Sequence, residues 1–270
     1  MQVKKLINHT NLATHDFVKN SFLLSRIALS SLVVSAALYS ASAAAGPADY
    51  IYMPKVEQGE KEVDFKFGTA KQPDGTRATV STLGFGYGAT DYWFTELYLK
   101  REKEGSDGLT LAEWENKFQL TETGKYAVDI GLITEIEAPL NNSKAPWEFK
   151  IGPLFQTEFG KLQLNGNVLF ERKFGHNDAD DKYATEMGYQ WQAKYRWIKT
   201  LEFGVQGFGE LGRWDHWDAA SAQNHRAGPA VFGKFALANK RAIKYNAAWL
   251  VGLSEVAPNN TLRMQLEYEF

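Results

Sequence analysis

The side chains that could act as a nucleophile and a general base lie in two polar segments of the second half of the chain. His176, His216 and His225 are the histidines that follow residue 45, and Ser221 lies between the last two. A serine and a histidine, with a third group that orients the histidine, could hydrolyse an ester. All four residues fall in predicted loops, where proximity in sequence does not establish catalytic geometry. We therefore predict that the chain is not an enzyme, and hydrolysis remains a minor alternative.

The same two loops contain the residues that could bind a metal ion. They are Asp178, Asp180 and Asp181 in one loop, and Asp215, His216, Asp218 and His225 in the other. Carboxylates could hold calcium or the cations that bridge lipopolysaccharide molecules, but solvated loops explain the same residues and the spacing matches no defined ligand loop. We predict no metal site and no cofactor. The chain has no cysteine, which excludes disulfides, thiolate metal sites and a cysteine nucleophile.

Most other charged residues recur at alternate positions of extended segments. In residues 183–197, for example, tyrosine and tryptophan residues alternate with Glu186, Lys194 and Arg196. Successive side chains of a β-strand point to opposite faces, so this spacing predicts a strand with one apolar and one charged face. The net charge of the whole chain is −2, and this balance gives no indication of nucleic-acid binding.

Segments with this alternation, each of roughly ten residues, recur from residue 59 to residue 270 and are separated by residues that favour turns. A soluble β-sandwich would place the aromatic faces in its core, whereas a membrane barrel would place them against lipid. A lysine or arginine on the lipid-facing surface costs roughly 2–4 kcal/mol at the bilayer midplane, and charges are almost absent from the apolar register. We predict an all-β fold, a transmembrane antiparallel up-and-down β-barrel of about 12 strands, with the sandwich as the alternative.

The lengths of the predicted connections also alternate. Longer polar loops, such as 102–108 and 139–146, follow odd-numbered strands, and tight turns, such as 89–91 and 121–125, follow even-numbered strands. This alternation places both ends of the barrel segment on one side, as in bacterial barrels with short periplasmic turns.

The last ten residues, TLRMQLEYEF, alternate without interruption and end on Phe270. This segment resembles the closing strand of bacterial outer-membrane β-barrels, in which apolar residues at alternate positions precede a terminal phenylalanine. The resemblance implies that Phe270 is an assembly signal read by the barrel-assembly machinery. We predict that residues 261–270 close the barrel by pairing with the first strand, at residues 62–68.

The turn and strand GATDYW, at residues 88–93, also resembles turns in transporter barrels associated with phenol-degradation pathways. This second resemblance implies passage of small solutes, including aromatic ones. Together the two resemblances imply a location in the outer membrane of a Gram-negative bacterium, with outer-membrane lipid and lipopolysaccharide as surroundings.

The first 45 residues differ from the rest of the chain. Basic residues precede an apolar stretch from Ile27 to Leu38, and small residues follow as far as Ala45, which is the order of a secretory signal peptide. The apolar stretch is shorter than the roughly 20 residues that a spanning helix needs, so an uncleaved anchor is the lesser alternative. We predict a cleaved signal peptide at 1–45, a short periplasmic segment at 46–58 and an outer-membrane barrel at 59–270.

On this register the charged faces line the barrel interior. The predicted lumen-lining residues are Glu96, Glu113, Glu115, Asp129, Glu135, Glu148, Lys150, Glu171, Glu186, Lys194, Arg196, Glu202, Lys244, Arg263 and Glu267. Acids outnumber bases in this set, and an acidic wall raises the local concentration of cations in a confined lumen. We predict a passive channel or transporter for small solutes. In the alternative, the charges pair across strands, the lumen is closed, and the barrel serves structure or surface interaction.

Overall fold

The computed structural model describes residues 46–175 and 184–270. The predicted signal peptide and the loop residues His176, Asp178, Asp180 and Asp181 lie outside the described residues. Within the described ranges, no helix is long and apolar enough to cross a membrane.

The described residues form one antiparallel sheet of thirteen strands that closes on itself. The strands are β1 (Lys61–Lys71), β2 (Arg77–Thr90), β3 (Trp93–Glu104), β4 (Asp107–Gln119), β5 (Asp129–Pro139), β6 (Trp147–Phe159), β7 (Leu162–Phe174), β8 (Glu186–Ile198), β9 (Leu201–Arg213), β10 (His216–Trp217), β11 (Asn224–Ala236), β12 (Ala242–Gly252) and β13 (Asn260–Glu269). Each strand pairs with its neighbours in sequence, except that β9 pairs with β11 and the two-residue β10 pairs only with the end of β9. The predicted fold is therefore confirmed: a closed barrel of 12 strands with one additional short strand.

The barrel closes where the sequence predicts. Strands β13 and β1 pair along their whole length, from Glu62 opposite Glu269 to Lys71 opposite Asn260. The Phe270 amide also donates a hydrogen bond to the Lys61 carbonyl, with an N···O distance of 2.9 Å. We call the end of the barrel where β1 begins and β13 ends the terminal end, and the opposite end the distal end.

Each strand has an apolar outer face and a polar inner face. On β3, Leu97 is 64% exposed on the outside, whereas its neighbour Glu96 is 3% exposed on the inside. The same alternation holds along β1 and β13. Apolar side chains that face outward without a protein partner are what a hydrocarbon surrounding requires, whereas water would favour the reverse arrangement.

The predicted alternation of long loops and short turns is wrong at two connections. Strands β3 and β4 stay paired as far as Glu104 opposite Asp107, so only residues 105–106 connect them. Gly105 adopts a φ of 55°, the left-handed region that favours glycine in so tight a turn. The next connection, residues 120–128, is the longer of the two. The polar residues at 102–108 belong to a hairpin rather than a loop, because backbone pairing continues beyond the apolar band.

The segment that precedes β1, residues 46–58, lies inside the barrel, whereas we expected it in the periplasm. Ala48, Ile51, Tyr52 and Val56 of this segment are buried. It forms no strand and no helix. We call residues 46–58 the inserted segment.

Candidate functional site

The barrel lumen is the candidate functional site, and the inserted segment occupies it. Near the distal half of β1 the segment passes so close to the wall that a Cβ atom at Gly68 would overlap the carbonyl group of Pro47. At the terminal end, Gly59 and Glu60 exchange hydrogen bonds with Gly88 on β2, with N···O distances of 2.8 Å in both directions. The segment therefore runs along the lumen before the chain turns into β1.

Two apolar contacts hold the inserted segment on opposite sides of the lumen. Ile51 packs in one cluster, formed with Phe208, Ala230, Phe232, Ala248 and Leu250 of β9, β11 and β12. Tyr52 packs in a second cluster, formed with Ile133, Leu154 and Leu169 of β5, β6 and β7. The adjacent residues of an extended chain point in opposite directions, so one short segment bridges both walls.

Hydrogen bonds complete the attachment of the inserted segment. The hydroxyl groups of Tyr50 and Tyr52 donate to the carboxylates of Glu115 and Glu135, at 2.7 and 2.9 Å. The Val56 amide donates to the side chain of Gln119 at 2.8 Å. Buried carboxylates without donors are costly, so the two phenols stabilise wall groups as well as the segment itself.

Lys66 of β1 lies between a ring of the inserted segment and a ring of the wall. Its ammonium group is 3.7 Å from the ring centroid of Tyr50 and also 3.7 Å from that of Tyr98 on β3. The same group forms an ion pair with Asp64 at 3.3 Å. Cation–π contacts strengthen when they are desolvated, and Lys66 is buried. This arrangement ties the position of Tyr50 to the charge of the wall.

A chain of hydrogen-bonded side chains, seven amides and one guanidinium group, runs around much of the lumen, and we call it the amide belt. It consists of Gln156, Gln163, Asn165, Gln192, Gln206, Arg263, Asn246 and Gln265. Its members lie on β6, β7, β8, β9, β13 and β12, and Gln265 donates to Asp64 on β1 at 3.0 Å. Of these residues, only Arg263 belongs to the predicted lumen-lining set. The available signal was a glutamine or asparagine at inward positions of consecutive strands.

Lysines neutralise acidic groups in two other parts of the lumen. In the distal half, Lys100 pairs with Glu137 at 2.6 Å and Glu113 at 3.6 Å, and Lys150 pairs with Glu135 at 3.0 Å. The carboxylates of Glu113, Glu135 and Glu137 are close enough together for a metal ion. The two ammonium groups already supply positive charge there, which weakens the case for a metal.

The second lysine-neutralised group lies at the terminal end. Lys244 contacts Glu60 and Glu267 at 3.2 Å each, and it also pairs with Glu269. Glu60, Glu62 and Glu269 could likewise surround an ion, but Lys244 lies against them. Burial raises the pKa of Glu60, which precedes the first strand, and its hydrogen bond with Glu269 acts in the same direction.

Three acids near the middle of the lumen retain unsatisfied oxygens. Asp64, Glu96 and Glu115 each have one buried carboxylate oxygen without a hydrogen-bond partner among the described residues. Glu96 and Glu115 are directly opposite each other on β3 and β4. We call these three residues the acidic sector. Lys66 forms an ion pair with Asp64, whereas Glu96 and Glu115 form no ion pair among the described residues, so this sector contains more carboxylates than ion pairs.

The structure places the predicted lumen-lining residues on the inward register, at different depths. Glu96, Glu113, Glu115, Asp129, Glu135 and Arg263 are buried, and Glu148, Lys150, Glu171, Glu186, Lys194, Arg196, Glu202, Lys244 and Glu267 are half-buried. Near the terminal end Lys194 pairs with Glu202, and Arg196 pairs with Glu158. Asp129 accepts a hydrogen bond from the Gly124 amide and so holds the connection between β4 and β5. Beyond this set, sequence reasoning missed the inserted segment.

The residues considered for hydrolysis do not form a nucleophile and base pair in the described part of the chain. The two ring nitrogens of His225 lie 2.9 Å from the Tyr189 hydroxyl and 2.9 Å from the Gln223 amide oxygen. Asp215 pairs with Arg213. Ser221 lies in the turn between β10 and β11. Both ring nitrogens of His225 therefore have hydrogen-bond partners in neighbouring side chains, which indicates a structural role.

The cavities beside the inserted segment are small. One, lined in part by Asp49, Glu186 and Glu210, has a volume of about 40 Å³, and another, lined in part by Thr82 and Glu113, has a volume of about 30 Å³. Such volumes hold a few water molecules. Neither is large enough for an organic solute.

Solved structures share this architecture. An outer-membrane channel from Pseudomonas putida F1 matches 82% of this chain and 97% of its own, with a TM-score of 0.50 and 14% sequence identity. The NanC porin matches 78% of this chain and 98% of its own, with a TM-score of 0.48 and 9% identity. The translocator domain of the autotransporter NalP from Neisseria meningitidis matches 79% and 89%, with a TM-score of 0.47 and 10% identity.

The likeness to the Pseudomonas channel concerns the fold, and this chain has the fold of outer-membrane β-barrels. No protein-family model and no curated protein sequence matches the chain.

Proposed function

We propose that this protein is a Gram-negative outer-membrane channel for small solutes, exported by its signal peptide, and that the inserted segment closes its lumen at rest. The observation that carries the proposal is that an irregular segment, rather than the wall itself, fills the lumen. Its attachments are hydrogen bonds and two small apolar clusters, which can be broken without unpairing any strand. The comparison with channels supports the architecture, and the function rests on the site.

The size of the barrel supports this proposal. A barrel of 8 strands can be filled by its own side chains, and barrels of 16–18 strands leave an aqueous channel. With 12 strands, the wall of this barrel leaves room for a length of chain. Withdrawal of the inserted segment would leave a passage lined by the amide belt on one side and the acidic sector on the other. Such a lining suits small polar solutes and favours cations over anions.

The competing function is a permanently closed barrel with a structural or surface role. The ion pairs of Lys100 and Lys150 favour it, because they connect β3 to β5, and β6 to both β5 and β7, in the distal half of the lumen. These pairs follow the wall, however, whereas the inserted segment is what blocks the centre. Conductance with the segment fixed or free distinguishes the two functions.

A disulfide can fix the inserted segment in place. A Cβ atom on Gly131 of β5 would lie 2.9 Å from the Cβ atom of Pro54. This is shorter than the roughly 3.5–4.5 Å between the Cβ atoms of a disulfide, so the inserted segment must shift slightly away from β5 when both positions carry cysteine. The chain has no cysteine, so the double variant Pro54→Cys/Gly131→Cys introduces a single pair. In planar bilayers we expect the oxidised variant to be silent and the reduced variant to show unitary conductance events.

The two single-cysteine variants are the matched controls, and neither should respond to oxidation. If the wild-type protein and the reduced double variant both show no conductance, and swelling assays with small sugars, amino acids and aromatic acids are also negative, the channel function is wrong. If oxidation leaves conductance unchanged once the crosslink is confirmed by mass spectrometry, the inserted segment is not the closing element.

A further inference from the structure

A basic patch lies on the outside of the barrel at its distal end, and it consists of Lys71, Arg77, Arg101 and Lys103. These residues lie on β1, β2 and β3, and all of them are exposed. Lys71 is directly opposite Arg77, Lys103 is opposite Thr79, and Arg101 is opposite Ser81. Adjacent strands are roughly 4.8 Å apart and alternate residues on a strand roughly 7 Å apart, so the four cations form one surface.

The basic patch begins where the apolar band ends. Leu83 and Leu99 are opposite each other one step closer to the barrel centre, and each is 56% exposed on the outer face. On β3 the outward side chain therefore changes from Leu99 to Arg101 within two residues. In a bilayer this boundary lies at the depth of the lipid headgroups, where exposed cations meet phosphate groups.

The acidic side chains near the basic patch do not form ion pairs with it. Within residues 46–175 and 184–270, no carboxylate forms an ion pair with any of its four cations. Glu102 lies on the opposite register and pairs with Lys100. Asp74 accepts hydrogen bonds from the hydroxyl and the amide of Thr76, which lower its pKa and direct its carboxylate into its own loop.

Hydroxyl groups hold the two guanidinium groups in place. Arg77 donates to the Thr69 hydroxyl at 3.2 Å, and Arg101 donates to the Thr110 hydroxyl at 2.7 Å. Each of these bonds uses one of the five donors of a guanidinium group and leaves the others for a ligand. Arginine binds phosphate through two parallel hydrogen bonds, so oriented guanidinium groups suit the phosphate groups of a lipid surface.

We propose that the basic patch binds the phosphate groups of the lipid A portion of lipopolysaccharide, with the acyl chains against Leu83 and Leu99. This inference rests on the proposed location in the outer membrane, with the termini on the periplasmic side and the distal end on the outer side, because lipopolysaccharide forms the outer leaflet of that membrane. It assigns a lipid-binding site to one sector of the barrel, β1 to β3, and is independent of whether the lumen conducts.

The test uses the refolded mature protein and purified lipid A, with binding followed by native mass spectrometry. The quadruple variant Lys71→Thr/Arg77→Thr/Arg101→Thr/Lys103→Thr keeps residues that favour strands. We expect the wild-type protein to prefer lipid A over its dephosphorylated form, and the variant to bind lipid A at least about tenfold more weakly, since several charge-assisted contacts are lost. Arg172→Thr on β7, which removes a single outward cation at the same end, is the matched control and should bind as the wild type does.

Two double variants, one with Lys71 and Arg77 replaced and one with Arg101 and Lys103 replaced, serve if the quadruple variant does not fold. Equal affinity of the wild type and a folded variant for lipid A would overturn the proposal. The proposal would also be overturned if inorganic phosphate, at the same concentration as lipid A, competed for the site equally well, because the site would then be one for free phosphate. Wild-type protein that inserts into bilayers and conducts, but shows no preference for phosphorylated lipid A, would disprove this site and leave the proposed function intact.

Discussion

Tyr52 is the residue that connects the inserted segment most extensively to the wall. Its hydroxyl donates to Glu135, its amide donates to Gln190, and its carbonyl accepts a hydrogen bond from Asn167. Glu135 also accepts from Lys150 at 3.0 Å. The backbone contacts would persist with any side chain at this position, so the phenol hydroxyl is the contact that a conservative substitution can remove.

Tyr52→Phe is therefore expected to loosen the inserted segment without disturbing the barrel. The substitution leaves an oxygen of Glu135, which is 4% exposed, without one of its donors. Loss of a partner at a buried acceptor costs about 1–3 kcal/mol, which corresponds to a roughly fivefold to hundredfold higher fraction of open channels. Single-channel recording measures this fraction. Tyr126→Phe, at a tyrosine that is 60% exposed between β4 and β5, is the control. An unchanged open fraction in Tyr52→Phe would show that this hydrogen bond does not hold the segment.

At the scale of the strand, adjacent residues of β3 face opposite surroundings, the lipid outside and the lumen inside. Leu97 faces outward, and Glu96 of the acidic sector faces the lumen, opposite Glu115. A lysine at position 97 would lie against lipid and should destabilise the folded barrel by roughly 2–4 kcal/mol. A lysine at position 96 would replace a like-charge contact by an opposite-charge contact, and we expect it to cost far less.

Urea titration of Leu97→Lys and Glu96→Lys in lipid vesicles provides the measurement, since the two variants add the same side chain on opposite faces of one strand. Equal destabilisation of both would contradict the assignment of inner and outer faces. Gln163 and Gln192 also face the interior but are less suitable for this test, because both are buried in the amide belt.

At this scale the sequence predicts those features that depend on the alternation of apolar and polar residues along a strand. The faces of β3 and the pairing of β13 with β1 follow from a period of two residues and from the apolar residues that precede Phe270. The hairpin at residues 102–108 was misassigned because polar residues can remain in register beyond the membrane.

The inserted segment could not be predicted in this way. It has no period, and its place depends on clusters to which β5, β6, β7, β9, β11 and β12 contribute. The amide belt lies between these two cases. Its glutamines and asparagines alternate like the charged residues, but recognition of the belt requires the order of strands around the barrel.

At the scale of the whole barrel, charge is distributed unevenly around the lumen. The acidic sector lies on β1, β3 and β4, whereas the amide belt extends from β6 to β13. Most acids outside this sector are paired with lysine or arginine, so the sector contributes the net charge that a passing ion meets. A low-dielectric wall concentrates this field in the lumen.

Cation selectivity is therefore expected of any state in which the inserted segment has been displaced. The reversal potential of the reduced Pro54→Cys/Gly131→Cys variant in a gradient of potassium chloride measures it.

Adding Glu96→Gln and Glu115→Gln should lower the permeability ratio of potassium to chloride by roughly twofold or more, because these substitutions remove charge and retain side-chain shape. Glu104→Gln, on the exposed end of β3, is the matched control and should leave the ratio unchanged. Because the Debye length falls from about 10 Å at 0.1 M salt to about 3 Å at 1 M, the difference between variant and control should shrink at high salt. Anion selectivity, or equal effects of the interior and rim substitutions, would mean that the acidic sector does not line the path of the ions.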